Sequence, residues 1–300
     1  MKAATLEDYR ARMLRVFVFI QQNLDTELSL SDVAAVAHFS PYHFHRIFKG
    51  MVGETLQVHI RRIRLERAAL RLRTTEKPIT AIAFEAGYET HEAFSRAFRS
   101  LTGMTPSTFR TRHPMGEPAA APSGVHYSPD SRPGGFEPMR WGGDPMDVTV
   151  KRLDPLHVVF LRHIGPYDEC GPTWDALMMR VGAMGLLGPD VMMLGLCHDD
   201  PDVTPAAKLR YDACITVGDD FDPQGDLGVQ TVSGGEYAVT THQGPYDTLH
   251  ETYRRLYGEW IPGSGRFPRS APCFEVYLTD PESTEPDEML TDIYAPLEPK

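Results

Sequence analysis

The sequence predicts a two-domain protein. The N-terminal domain is all-α, with two helix-turn-helix units, and the C-terminal domain is α+β, with two pseudo-symmetric strand–helix–strand modules. A helix-turn-helix pattern occurs twice within residues 34–99, and a strand–turn–helix pattern occurs twice within residues 159–260. The formal charge changes sign between the two halves of the chain, and 300 residues are more than one ordinary hydrophobic core accommodates.

The first repeat joins residues 34–49 with residues 83–99. Three small or aromatic residues match at an offset of 49, and a Phe-x-Arg-x-Phe core matches at an offset of 50. The matched residues are Ala34, Ala37, Phe39, Phe44, Arg46 and Phe48 in the first copy, and Ala83, Ala86, Tyr88, Phe94, Arg96 and Phe98 in the second. One extra residue in the second turn explains the change of offset. Two such helix pairs are typical of domains that place helices in the DNA major groove.

Three further features complete the helical domain. Residues 6–24 show helical periodicity, and Ser29 with Asp32 resembles a capping box that opens the next helix. A long helix with an apolar stripe follows and ends near Arg73. Its stripe consists of Leu56, Ile60, Ile63 and Leu70. At 1.5 Å per residue this helix spans ~27 Å. That is enough to hold the second helix of each helix-turn-helix, here called a reading helix, about one DNA turn from the other. Its arginines are interpreted as a solvated face: Arg61, Arg62, Arg64, Arg67, Arg71 and Arg73.

Residues 114–146 hold seven prolines and six glycines, which predicts a loose linker. Residues 1–113 carry 17 Lys and Arg against 11 Asp and Glu, a formal charge of +6. Residues 114–300 carry 13 against 30, a formal charge of −17, so only the first half suits contact with phosphate. The predicted domains are a DNA-binding domain over 8–112, a linker over 113–146 and a second domain over 147–297.

The second repeat joins residues 159–168 with residues 238–247 at an offset of 79. Each copy reads as a strand that breaks at Gly-Pro and starts a helix. Four residues on one helical face match as well: Trp174, Leu177, Met178 and Val181 with Tyr253, Leu256, Tyr257 and Trp260. Further strands are predicted near 148–153, 192–198, 209–217, 227–233, 273–279 and 289–297. This arrangement predicts a pseudo-twofold domain with a cleft along the repeat axis.

Each reading helix begins with a capping residue, Ser40 in the first copy and Thr90 in the second, and turns its phenylalanines towards the core. The outward-facing residues are the candidate DNA contacts: Tyr42, His45, Arg46 and Lys49 in the first helix, and His91, Glu92, Ser95 and Arg96 in the second. Arg46 can pair bidentately with guanine, and Glu92 can accept from the N4 amino group of cytosine. His43 and His45 have no third ligand at a matching spacing, so no metal site is predicted.

Residues 10–112 resemble the paired helix-turn-helix domain of the AraC/XylS family of bacterial transcription regulators, which is homeodomain-like. The resemblance extends to the closing segment 103–110, which reads GMTPSTFR. It implies that both reading helices enter successive major-groove segments on one face of double-stranded DNA. Related proteins often carry glutamine at the positions of His45, His91 and Glu92, so the target sequence differs. RNA polymerase is an expected partner, since activators are common in this family.

Glu275 is the candidate centre of the C-terminal domain. The strand 273–278 is otherwise apolar on both faces, so the carboxylate should be largely buried. A buried carboxylate must form a salt bridge, take up a proton or bind a cation from a ligand. A salt bridge with Arg162 or Arg210, or simple protonation, is as well supported by the residues as ligand binding.

Aromatic residues of the two repeated helices accompany Glu275. Trp174, Tyr253 and Tyr257 would offer ring faces to a cation, or else pack between helix and sheet. The other residues of the repeated turns are interpreted as supports of the strand-to-helix turns: His163, Tyr167, His242 and Tyr246.

Residues 147–297 resemble a GyrI-like small-molecule-binding domain, as fused behind the DNA reader in Rob-type regulators. The resemblance rests on the paired His-x-Gly-Pro-Tyr-Asp turns and on the segment 272–278. It implies a flat, often cationic effector held between aromatic side chains above an acidic residue. The implied effector-binding residues are Trp174, Tyr253, Tyr257 and Glu275.

The leading hypothesis is a cytoplasmic, effector-controlled transcription regulator without a cofactor. Neither a secretory signal nor a membrane span is expected, and its four cysteines are read as free thiols. Two alternatives remain. The C-terminal domain would hydrolyse a reactive compound with Trp174 and Glu275, or it would be a protein-binding module. No catalytic residue is assigned, because no serine or cysteine nucleophile accompanies the paired histidines.

Overall fold

The chain folds into two compact units, Met1–Trp141 and Gly142–Lys300, and each has its own hydrophobic core. The computed structural model describes residues 2–112, 120–132, 135–223 and 225–300. Within these residues no helix combines the length and apolarity needed to cross a membrane. The all-α and α+β classes predicted for the two parts are confirmed.

The first unit contains both predicted helix-turn-helix units, α2 with α3 and α5 with α6. Its described helices are α1 (Lys2–Gln22), α2 (Leu30–Ala37), α3 (Pro41–Val52), α4 (Leu56–Thr74), α5 (Ile79–Glu85), α6 (His91–Thr102) and α7 (Pro106–Arg112). His38 takes a left-handed conformation in the first turn (φ 55°), and Gly87 does so at the matching position of the second (φ 81°). This backbone conformation lets the chain reverse sharply between two helices.

Helix starts follow the capping pattern in three cases. Ser29, Thr55 and Thr90 cap α2, α4 and α6, each accepting from the backbone N–H three residues on. Ser40 occupies the N-cap position of α3 but makes no side-chain capping bond, so the bond expected of it is wrong. Pro41 at the first helical position already has the φ angle that the helix needs, and it leaves one fewer N–H to satisfy.

Helix α4 joins the two helix-turn-helix units. In its C-terminal half, Leu65 and Leu72 share a core with Phe94 of the second helix-turn-helix. In its N-terminal half, the His59 ring lies 5.5 Å from the Phe48 ring of the first helix-turn-helix. One rigid helix therefore packs against both reading helices.

Residues 120–132 and 135–141, here called the strap, pack against this helical domain. Val125 is fully buried, and the Phe136 ring lies 5.0 Å from that of Phe17. The backbone N–H of Met139 donates to Met51 O (2.8 Å). The described part of the expected linker is thus not loose. A few well-spaced apolar side chains among its prolines and glycines pack against the helices, and the overall composition does not reveal them.

Polar side chains of α1 and α4 hold the strap backbone. Gln21 donates to His126 O (3.1 Å) and accepts from the N–H of Ser128 (2.7 Å). Glu66 accepts from the N–H of Tyr127 (2.7 Å). These bonds satisfy strap groups that would otherwise need water, so the strap belongs to the helical domain.

The second unit is built on one antiparallel eight-stranded sheet with the order β1-β6-β8-β7-β3-β4-β2-β5. Its strands are β1 (Thr149–Leu153), β2 (Leu156–Ile164), β3 (Met193–Cys197), β4 (Arg210–Thr216), β5 (Gly228–Val232), β6 (Gly235–Gln243), β7 (Cys273–Tyr277) and β8 (Leu290–Leu297). The strands expected from the sequence are all present. Helix α8 (Gly171–Ala183) follows β2, and α9 (Leu249–Arg255) follows β6. Helix α9 continues through a π-helical turn (Leu256–Trp260) into α10 (Ile261–Ser264).

The register of the two central strands reveals the pseudo-twofold axis. Gly195 of β3 pairs with Glu275 of β7, flanked by the pairs Leu194 with Val276 and Leu196 with Phe274. Residues related by an offset of 80 thus exchange places across this pair. Glu275 therefore lies on the axis, and its symmetry mate is a glycine.

Candidate functional site

The second reading helix, α6, presents its predicted contact residues at the surface. His91, Glu92 and Arg96 are exposed, and Ser95 is half-buried. Phe94 and Phe98 are fully buried on the opposite side. This amphipathic arrangement leaves a polar face of the size and chemistry that the major groove accepts.

The first reading helix, α3, differs from this pattern. His45 is only 6% exposed and Arg46 only 9%, so the exposure predicted for these two residues is wrong. The Arg46 guanidinium lies over the Tyr42 ring, 4.8 Å from its centre, and Tyr42 and Lys49 are half-buried. Burial runs without a break over residues 43–48 of α3. A periodicity argument assigns the polar side of a helix to solvent, which is why these side chains were expected to be exposed.

Arg96 carries the clearest prediction for the DNA surface. Arg96→Ala should weaken specific binding by about 1–3 kcal/mol and relax preference at one base position, because a bidentate arginine reads one guanine. Binding to duplexes with single-base changes would measure both effects. Arg73→Ala, which removes an exposed arginine from the end of α4, is the control. Equal footprints and equal base preferences for Arg96→Ala and the parent would refute the assignment.

Arginines of α4 fix the two helix-turn-helix units to each other. Arg64 donates to Leu24 O (2.9 Å) and Thr26 O (2.7 Å) in the loop that precedes α2. Arg67 reaches Asp25 in the same loop (2.7 Å) and also donates to Glu85 O at the end of α5 (2.8 Å). Arg67 thus ties the two units together through one guanidinium.

The solvated-face interpretation is therefore wrong for four arginines of α4. Arg62 and Arg67 are buried, Arg64 is half-buried, and Arg71 pairs with Glu85. The reason is that the flanking loops supply carbonyl and carboxylate acceptors, which no periodicity argument reveals. Arg61 and Arg73 are exposed, as expected.

Arg67→Leu tests whether the Arg67 contacts hold the two helix-turn-helix pairs at a fixed spacing. A leucine keeps the packing but cannot hold Asp25 and Glu85 O together, so the spacing of the reading helices should loosen. We expect affinity for a complete two-segment site to fall by about 1–2 kcal/mol, with tolerance for one inserted base pair between segments. Competition binding with spacer variants checks this, with Arg73→Leu as the matched control. An unchanged spacer preference would contradict the role.

Glu275 lies at the centre of the second unit and is 6% exposed. Its Oε1 accepts from the Tyr253 hydroxyl (3.0 Å) and lies 3.7 Å from the Cys197 thiol. Its Oε2 accepts from the Tyr277 hydroxyl (3.0 Å). These three donors are neutral, and together they orient and stabilise the carboxylate.

The arginines expected as salt-bridge partners of Glu275 pair elsewhere. Arg162 makes a bidentate pair with Asp212 (2.7 and 2.9 Å). Arg210 pairs with Asp199 (2.8 and 2.9 Å). Because β-strand side chains alternate between faces, Asp212 points away from the face of its neighbour Tyr211. The alternative of an Arg162 or Arg210 salt bridge to Glu275 is therefore wrong.

A hydrogen-bonded chain leads from Trp174 to the carboxylate. The indole N–H of Trp174 donates to the Tyr211 hydroxyl (3.0 Å), which lies 2.7 Å from the Tyr277 hydroxyl. Since indole can only donate, the chain directs its protons towards Glu275. Burial above all, with the Glu275 charge contributing, raises the pKa of Tyr211 and of Tyr277 well above the ordinary value. Both hydroxyls therefore remain protonated donors at neutral pH.

Gly195 makes room for this chain. A Cβ at this position would overlap the hydroxyl oxygens of both Tyr211 and Tyr277. None of these three residues was a candidate site residue from the sequence. Tyr277 was predictable, because strand alternation places it on the face of Glu275. Tyr211 and Gly195 depend on the pairing of β3 with its neighbours, which no short sequence pattern gives.

Aromatic rings surround the carboxylate. Trp174 meets Tyr277 edge-on at 5.6 Å between ring centres, and Tyr246 meets it at 5.5 Å. Trp174 and Tyr253 are half-buried, and Tyr246 is 39% exposed, so the ring cluster reaches the surface. Tyr257 is fully buried with its hydroxyl 3.0 Å from the Cys273 sulfur, which is the packing role considered for it.

The paired histidines support the strand-to-helix turns. The Nε2 atom of His163 lies 2.9 Å from Pro166 O, and that of His242 lies 3.3 Å from Pro245 O. Tyr167 donates to Asp199 O (2.8 Å) and so fastens the first of these turns. The interpretation of these three residues as turn supports is confirmed. Tyr246 instead stands beside Tyr277 at the exposed end of the cluster.

Comparison with known proteins gives matches for both units. Residues 33–112 match the model of a helix-turn-helix domain, and residues 146–298, half of the chain, match that of the GyrI-like small molecule binding domain. The transposon Tn10 TetD protein of Escherichia coli is 40% identical over 95 residues, which are 32% of this chain and 69% of TetD. The regulatory protein SoxS of Escherichia coli K12 is 38% identical over 97 residues, 32% of this chain and 91% of SoxS.

Among solved structures, the EcmrR–DNA complex matches 51% of this chain and 57% of EcmrR, with 21% identity and a TM-score of 0.42. The helix-turn-helix model and the two relatives agree with the double helix-turn-helix geometry, and the GyrI-like model agrees with the α+β fold of the second unit. The chain therefore belongs to the AraC/XylS family of DNA-binding transcription regulators, among the members that carry a GyrI-like small-molecule-binding domain behind the DNA reader.

Proposed function

We propose that this regulator is an activator controlled by a small aromatic cation, which binds over Glu275 and changes the affinity of the reading helices for DNA. The DNA-bound form would then recruit RNA polymerase. The observation that carries the proposal is the buried Glu275 carboxylate on the pseudo-twofold axis, held by neutral donors and lined by aromatic rings.

The electrostatics of the cleft favour a cation. A carboxylate taken out of water loses much of its hydration, and neutral donors return only part of it. A ligand cation close to the carboxylate gains Coulomb attraction and cation–π contacts with rings such as Trp174 and Tyr253, and the cation–π contacts are worth about 2 kcal/mol or more when desolvated. The paired arginines of the other sheet face do not compete for it, since each is engaged by its own aspartate.

The chemistry of Glu275 favours binding over hydrolysis. A general base must reach a water or substrate proton, whereas both oxygens of this carboxylate already accept hydrogen bonds from tyrosines. Trp174 is likewise engaged as a donor to Tyr211. These contacts support a stoichiometric binding site.

Calorimetry with two probes of similar shape tests the proposal. Tetraphenylphosphonium is a permanent aromatic cation, and triphenylphosphine oxide is a neutral compound of related shape. We expect the cation to bind one per chain and at least about tenfold more tightly than the neutral probe, which corresponds to about 1.4 kcal/mol. Equal affinities would refute a charge-selective cleft, and consumption of an electrophilic ester by the full chain would favour the hydrolase.

A further inference from the structure

We infer that Gly142 and Gly143 form a coupling joint that transmits the state of the Glu275 cleft to the first reading helix. The inference rests on the proposed function, since it takes the cleft as the effector site. It concerns the chain itself: one end of the joint is fastened to α3, and the other end is fastened to α9.

The first anchor holds the chain to the end of α3. The indole N–H of Trp141 donates to Gly50 O at 2.7 Å, and the neighbouring strap residue Met139 donates its N–H to Met51 O. A Cβ at Gly53, the C-cap of α3, would lie 3.0 Å from the Met139 side chain, so strap and helix end are in close contact. Gly50 is about one helical turn beyond Arg46.

The second anchor holds the chain to α9. Arg255 of α9 donates to Asp144 O at 2.5 Å, and the Thr240 hydroxyl of β6 donates to Asp147 O at 2.8 Å. Two residues before Arg255 on the same helix, Tyr253 donates to Glu275. The helix that touches the carboxylate therefore also grips the chain as it enters the second unit.

Only two residues lie between the anchored positions Trp141 and Asp144. Both have left-handed backbone, with φ of 64° at Gly142 and 90° at Gly143, conformations that glycine adopts without strain. Three consecutive Cα–Cα steps span at most ~11 Å. A joint this short can rotate but offers almost no slack. A displacement of α9 therefore reaches the strap. A flexible linker of 33 residues would take up such a displacement before it reached the strap.

The contacts define a continuous route. A cation that binds at Glu275 draws on the same oxygen that accepts from Tyr253, which changes the hold of α9 on the sheet. The shift passes through Arg255 and Asp144 to the joint, and from Trp141 to the end of α3. Each link is a packed or hydrogen-bonded element, as energetic coupling between two sites requires.

Lengthening the joint tests the inference. Six residues, Gly-Ser-Gly-Ser-Gly-Ser, are inserted between Gly142 and Gly143 of the full chain. The control carries the same insertion between Gly188 and Pro189, in an exposed loop of the second unit. Affinity is measured for a duplex selected from a random pool, with and without tetraphenylphosphonium. We expect the probe to change DNA affinity at least about fivefold in the parent and the control, and less than twofold in the joint variant.

The outcomes separate this inference from the proposed function. Full coupling in the joint variant overturns the joint, as does a parent that binds the probe without any change in DNA affinity. If calorimetry shows that the probe does not bind the parent, the proposed function fails, and Glu275→Gln then serves as the perturbation. A shift in DNA affinity on Glu275→Gln in the parent but not in the joint variant supports the joint. No shift in either, or an equal shift in both, overturns it.

Removing the first anchor gives an independent check. Trp141→Phe keeps an aromatic ring but deletes the N–H that donates to Gly50 O. We expect it to reduce the probe-induced change in DNA affinity by at least about half, with probe affinity unchanged in the absence of DNA. Unaltered coupling in this variant would contradict the route through Trp141.

Discussion

Replacing Glu275 by glutamine is expected to weaken the binding of tetraphenylphosphonium by roughly 30-fold, or about 2 kcal/mol, because the amide removes the buried negative charge that faces the cation. The amide retains an oxygen for one of the two tyrosine hydroxyls and nearly the same shape, so the aromatic surroundings persist. Binding of the neutral triphenylphosphine oxide should change less than threefold. Calorimetry on the purified full chain measures both affinities.

The control for this substitution is Glu282→Gln, which removes the same formal charge from an exposed loop. It should leave both affinities unchanged, since exposed charges are screened within about 10 Å. A parallel fall for the cationic and neutral probes in Glu275→Gln would show that the carboxylate only maintains the shape of the cleft.

Arg62→Met is expected to lower the free energy of unfolding of the helical domain by about 3–5 kcal/mol, because it strands a buried carboxylate. The Arg62 guanidinium lies 2.6 Å from Glu54 and 2.8 Å from Glu66, and its side chain is only 5% exposed. His59 adds a 2.8 Å contact to Glu54. Denaturant titration followed by helical circular dichroism measures the change.

The acid dependence of this effect follows from Glu54. Burial opposes its ionisation, but hydrogen bonds from His59 and Arg62 prevail and lower its pKa from 4.5 to about 2. Because the folded-state pKa is the lower one, the stabilisation is complete above about pH 4.5 and is lost as the pH falls towards 2. The difference between parent and Arg62→Met should therefore shrink over that range.

Two comparison variants make the Arg62 result decisive. Arg73→Met, at an exposed position of the same helix, should change stability by less than about 0.5 kcal/mol. The double change Arg62→Met with Glu54→Leu should recover much of the loss, since it removes the stranded charge. A loss below about 1 kcal/mol for Arg62→Met alone would show that the buried pair contributes little.

Repeats and periodicity predicted the fold well. The duplicated helix-turn-helix and the duplicated strand–turn–helix each predicted a pattern of buried positions that the structure shows. Phe44, Phe48, Phe94 and Phe98 are all fully buried, as the repeat required. The strands followed from alternation and from the Gly-Pro breaks in the same way.

The sequence was less informative where burial comes from outside the local element. His45 and Arg46 lie on the polar side of α3, yet both are buried, and amphipathicity does not predict burial of a polar side. The arginines of α4 found carbonyl acceptors in distant loops for the same reason. Composition also misjudged the strap, where a few anchors such as Val125 and Phe136 outweigh many prolines and glycines.

Part of the Glu275 site could be found from the sequence. Glu275 was identified because a charged residue in an otherwise apolar strand must be buried, and Trp174 and Tyr253 because the repeat placed them on one helical face. The chain through Tyr211 and Tyr277 required knowledge of which strands are neighbours. Gly195, which leaves room for the Tyr211 and Tyr277 hydroxyls, became recognisable only from the register that places it opposite Glu275.

The most direct test of the central claim is the affinity of the full chain for its selected duplex, measured with and without saturating tetraphenylphosphonium. We predict a change of at least about fivefold in the parent and none in Glu275→Gln at the same probe concentration. Identical DNA affinities with and without the bound cation in the parent would contradict an effector cleft that controls the reading helices.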